Sequence, residues 1–93
     1  MTAHAVATLK MKNPEALAAY REKASAALAR HGGAVLQAST ELTRLEGDQP
    51  LPDGVAILTF PDRQAAQAWI DDPSLADTHA LRTKGAETLI ALL

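Results

Sequence analysis

Leu75, Thr78, His79 and Arg82 recur at steps of three and four residues, so in a helix they share one face. Two of them carry chemistry. A histidine titrates near neutral pH and serves as a general base, while an arginine holds a carboxylate or an enolate oxygen. Together they would suit cofactor-free proton abstraction or oxygenation of an activated substrate. The bland alternative is that Arg82 pairs with an acidic side chain and His79 is simply exposed. Tyr20, Trp69 and Thr40 complete the pocket candidates. Tyr20 and Trp69 fall on the apolar faces of their segments, where they fill core volume, find partners for their polar tips or edge a pocket. No residue is assigned a catalytic role on this pattern.

Other chemistries lack their residues. His4, His31 and His79 have no metal-ligand spacing, and no cysteine is present to supply a thiolate, a zinc site or a disulfide. No metal and no cofactor is therefore expected. Gly32-Gly33 and Gly47-Asp48 lack the glycine pattern and the lysine of a phosphate-cradling loop, and no serine stands in a Gly-x-Ser-x-Gly context. Asp71-Asp72 reads as a solvated residue beside a helix cap, and His31 as a residue favoured by a helix C-terminus.

The elements that must position these side chains follow from local signals. Ala5 to Met11 is a first strand. Asn13-Pro14-Glu15 then supplies an N-cap, a proline at the first helical position and a negative charge for the helix dipole. Leu17, Tyr20, Ala24, Ala27, Leu28 and His31 keep helical spacing until Gly32-Gly33. Ala34 to Glu46 reads as a long second strand whose parity switches at a bulge near Ser39-Thr40. Val55 to Phe60 is apolar at almost every position and bounded by turn residues, as a strand buried on both faces requires. Asp62 caps a helix containing Ala65, Ala66, Trp69 and Ile70, and Asp72-Pro73 starts a second short helix to about Thr83. Glu87 to Leu93 is the last strand.

Strand, helix, strand, strand, helix pair, strand is the ferredoxin-like βαββαβ order, an α+β fold with a four-stranded antiparallel sheet and all helices on one face. The other face is bare, and exposing four or five aliphatic side chains there forfeits about 1.5 to 3 kcal/mol each. Hence a homodimer that stacks two helix-free faces is expected. The chain of 93 residues is expected to be one domain, with a thin core because only 3% of it is aromatic. Basic residues number 9 against 11 acidic ones without a basic stripe, so no nucleic acid partner is expected. Met1 to Leu9 lacks a basic segment before an apolar core, and no run approaches membrane-spanning length, so no membrane partner is expected and the protein reads as cytoplasmic.

Asn13-Pro14-Glu15, Tyr20, Gly32-Gly33, Leu45-Glu46-Gly47-Asp48, Val55 through Phe60-Pro61, Ala68-Trp69 and Asp72-Pro73 with Arg82 resemble the domain of unknown function 1330 family over nearly the whole chain. The resemblance implies a ferredoxin-like subunit, a dimeric α/β-barrel, and kinship with cofactor-free monooxygenases and small isomerases that hold ligands between sheet and helices. Ala38-Ser39-Thr40 stands where the family carries Arg-Gly-Gly, and Leu17, His31 and Gln49 stand where it often has aromatic residues. Only Arg82 remains of the family's basic pocket residues. The expected function is therefore small-molecule binding between sheet and helices. The alternatives are a monooxygenase- or isomerase-like enzyme, and a non-catalytic dimerisation or sensing module.

Overall fold

A computed structural model describes residues 2–93. Met1, which belongs to the expected 1–93 domain and to the leader reading, lies outside the described residues. The order is β1 (Ala3–Met11), α1 (Pro14–Ala29), β2 (Ala34–Ser39), β3 (Gly54–Phe60), α2 (Arg63–Asp71), a 3-10 turn (Pro73–Leu75), α3 (Ala76–Gly85) and β4 (Ala86–Leu92). The four strands form one sheet in the order β2-β3-β1-β4, with every neighbouring pair antiparallel. This is the expected βαββαβ fold.

Caps set the helix starts. The Asn13 side chain accepts the Ala16 N–H at 3.1 Å with Pro14 at the first position, and Asp62 accepts the Ala65 N–H at 2.7 Å. Asp72 accepts the Ser74 N–H at 2.8 Å and so opens the 3-10 turn behind Pro73. The chain leaves α1 through Gly32, whose φ of +72° suits glycine and whose missing side chain makes room for the Pro61 ring.

Side-chain alternation divides the sheet. Ala3, Ala5 and Ala7 of β1 register with Phe60, Leu58 and Ala56 of β3, and Ala5 and Ala7 also with Leu92 and Ile90 of β4, all on the face toward the helices. Alanine on the central strand lets Leu28, Phe60, Trp69 and Leu75 close over it, with the Phe60 and Trp69 rings 5.6 Å apart. Val6, Val55, Ile57 and Ala91 lie on the opposite, helix-free face, where Val6 registers with both Ile57 and Ala91.

Three expectations about boundaries need correction. β2 ends at Ser39 and not at Glu46, because β2 is an edge strand paired only with β3, and β3 starts at Gly54. Past the Ser39–Val55 pair there is no partner, and the Ser39 hydroxyl instead accepts the Glu41 N–H at 3.0 Å. The register shift lies between Val35 and Gln37, ahead of the expected Ser39-Thr40. The short helix expected from Pro73 is a 3-10 turn followed by α3, which runs to Gly85.

Candidate functional site

The site is built at the crossing of α1 and α3. Gly85 closes α3, and a Cβ there would fall 2.6 Å from the Leu17 nitrogen, so the two backbones meet at a distance only glycine permits. The Gly85 carbonyl also accepts the Lys12 and Asn13 N–H groups. One turn forward on α1 is Tyr20, and one turn back on α3 is Arg82. The helices run antiparallel, so the Leu17–Gly85 contact places Tyr20 beside Arg82.

Arg82 is buried, with 5% of its surface exposed. Its Nη1 donates to the Tyr20 hydroxyl at 3.3 Å and to His79 Nδ1 at 3.1 Å. The guanidinium carbon lies 5.5 Å from the Tyr20 ring centre and 5.3 Å from that of Trp69, so the cation sits between two aromatic faces. Among the described residues no acidic side chain is within ion-pair distance of it. The acidic partner that the alternative reading offered is not found among the described residues, because α3 turns Arg82 toward α1 and the sheet, where the nearby polar groups are an imidazole and a phenol.

His79 stands within 2.9 Å of the Trp69 carbonyl through Nε2. A carbonyl only accepts, so Nε2 carries the proton and Nδ1 is left as the acceptor for Arg82. Its ring meets Trp69 edge-on, with centres 4.9 Å apart. Both nitrogens are thus engaged within the chain. Trp69 is buried but, contrary to the expectation for its polar tip, its Nε1 has no hydrogen-bond partner among the described residues, and neither has Arg82 Nε.

Two cavities flank Arg82 and Ile90. One, of about 300 Å³, is bounded by Phe60, Trp69, Arg82, Ile90 and Leu92. The other, of about 170 Å³, is bounded by Tyr20, Leu28, Thr40, Leu58, Arg82 and Ile90. Four of the five pocket candidates therefore line cavity walls: Trp69 the larger, Tyr20 and Thr40 the smaller, Arg82 both. His79 lines neither and supports Arg82 from behind. Ile90 and Thr88 of β4 went unsingled as site residues, although their parity with Leu92 places them on the helix side.

His31 lies away from this site. Its Nε2 is 2.9 Å from Asp72 Oδ2, so it ties the end of α1 to the start of the 3-10 turn. The Ser74 hydroxyl, the His31 ring and the Ser74 N–H hold the Asp72 carboxyl well below the usual carboxylate range. Asp71 accepts a hydrogen bond from Gln67. Among the described residues no three His, Cys, Asp or Glu side chains gather as a metal site, and no helix is long and apolar enough to cross a membrane.

Comparison with solved structures gives the same fold. A protein of unknown function from Rhodopseudomonas palustris superposes with a TM-score of 0.80 at 24% identity, over 99% of this chain and 80% of that one. A mutant of SnoaB, a cofactor-independent oxygenase from Streptomyces nogalater, gives 0.70 at 16% identity over 99% and 90%. A dimeric ferredoxin-like protein of unknown function from Jannaschia sp. CCS1 gives 0.67 at 15% identity over 100% and 98%. No curated protein matches the sequence. The model for the domain of unknown function DUF1330 matches residues 2–93. On that match, over nearly the whole chain, the chain belongs to the DUF1330 family.

Proposed function

We propose that this protein is a small cytoplasmic homodimer that binds a small organic molecule between its sheet and helices. The observation that carries the reading is a buried arginine without an acidic partner among the described residues, set between two largely apolar cavities. A buried cation costs several kcal/mol when nothing compensates it, and concave apolar walls with a few convergent polar groups are how small-molecule sites are made. The cavities weigh against a module whose pocket is filled by side chains.

Support for the dimer comes from the helix-free face, where Val6, Val55, Ile57 and Ala91 form an aliphatic patch, and from a structural relative described as dimeric. The absence of cysteine fits a reducing compartment. Turnover by acid–base chemistry has less support, since no Asp, Glu or His lines either cavity and His79 Nδ1 is occupied by Arg82.

The test is a metabolite screen by thermal unfolding. A ligand at 100 times its Kd adds about 2.7 kcal/mol to the native state, and for a domain of this size that raises Tm by roughly 10 °C or more. A broad screen in which no compound raises Tm or perturbs Trp69 fluorescence overturns the reading.

A further inference from the structure

We infer that the larger cavity receives a monocarboxylate with an apolar body, its two oxygens taken side-on by the Nε and Nη2 edge of Arg82, with the Trp69 indole N–H as a third donor. The inference rests on the proposed binding function and specifies its ligand class.

The geometry of the guanidinium leads to it. Among the described residues, both hydrogen bonds made by the Arg82 side chain use Nη1, which is spent on Tyr20 and His79. That leaves the edge formed by Nε and Nη2, whose N–H groups are parallel and spaced to meet the two oxygens of one carboxylate. Nε is buried without a partner among the described residues, and so is Nε1 of Trp69, the indole against which the guanidinium packs at 5.3 Å. Neither nitrogen has surface open to a water-sized group, so a ligand meets them as the Arg82 and Trp69 side chains shift. Both orphan atoms are donors, so what satisfies them must accept. A buried donor without an acceptor is costly, and the guanidinium also lacks a counter-charge, so an anion answers both deficits.

The walls narrow the choice further. Apart from Arg82, the polar side chains around this cavity are Gln67 and Thr88, with no second cation to balance a phosphate dianion. Ala5, Phe60, Ile90 and Leu92 offer an apolar lining to the remainder of the ligand. A primary amide of the same shape would turn an NH₂ group toward donors. The difference between acid and amide is therefore the signature of the site.

Trp69 is the only tryptophan, so its fluorescence reports directly on the cavity. The experiment titrates the protein at pH 7 with benzoate, phenylacetate and cyclohexanecarboxylate, then with benzamide, phenylacetamide and cyclohexanecarboxamide, and with inorganic phosphate. At least one acid is expected to bind roughly tenfold to a hundredfold more tightly than its amide, the range for hydrogen bonds to charged groups. Arg82→Lys keeps the charge but loses the paired edge, and is expected to weaken the acid by a similar factor. Trp69→Phe, followed by calorimetry, is expected to weaken it less. The acid and amide comparison uses the unaltered protein, so it decides even if a variant fails to fold. Equal binding of acids and amides, or phosphate binding in preference to the acids, overturns the carboxylate assignment and leaves the cavity reading standing. If neither series binds at millimolar concentration, the carboxylate assignment is overturned, and the broad screen alone decides the cavity reading.

Discussion

Arg82 donates to the Tyr20 hydroxyl at 3.3 Å across 62 residues of sequence, and this bond sits one helical turn from the place where Gly85 meets Leu17. The tight contact and the polar contact are parts of one crossing. A backbone approach that tolerates no Cβ sets the register of two antiparallel helices, and that register brings a phenol to a buried guanidinium.

Gly85→Ala is accordingly expected to destabilise the fold by about 1 to 3 kcal/mol, because α3 must move off Leu17 to admit a methyl group. Urea unfolding measures the loss. A variant as stable as the parent would show that the crossing adjusts freely.

Tyr20→Phe removes one of the two acceptors of Arg82 Nη1 while keeping the ring beneath the guanidinium. The expected cost is about 1 to 3 kcal/mol, the range for leaving a buried donor unsatisfied. Equilibrium unfolding of this variant beside His79→Gln and the double variant measures the coupling, which is expected to be non-additive because both residues serve one nitrogen.

Asp72 supplies a pH dependence of known sign. Its carboxyl is held below the ordinary value near 3.9 by the Ser74 hydroxyl, His31 and the Ser74 N–H, so the unfolded chain takes up this proton first as acid is added. The stabilisation is whole above the unfolded value and declines as pH falls from about 4 toward the lower folded value. Denaturation midpoints between pH 5 and 2 are expected to fall less steeply in Asp72→Asn than in the parent. Identical slopes would refute the linkage.

Ile57 lies on the helix-free face opposite Val6, in the middle of the patch proposed to meet a second copy. The parent is expected to sediment at twice the protomer mass at micromolar concentration. Ile57→Lys places a charge where two sheets would stack and is expected to yield the protomer. A parent that sediments as the protomer would remove the dimer from the proposed function.

What could be read from residue order alone was whatever depends on near neighbours. Asn13-Pro14, Asp62 and Asp72-Pro73 mark helix starts because a cap acts on an N–H only two or three residues on, and Val55 to Phe60 divides its side chains between two faces because a strand has period two. The face shared by His79 and Arg82 was legible for the same reason. The end of β2 was not, since an edge strand stops where its neighbour stops, and β3 begins only at Gly54. Nor were the partners of Arg82, the pairing of His31 with Asp72 across 41 residues, or the unpaired Trp69 indole. Hydrogen bonds are directional over fractions of an ångström, so those outcomes rest on how two helices cross, and that was decided only when Gly85 came to rest against Leu17.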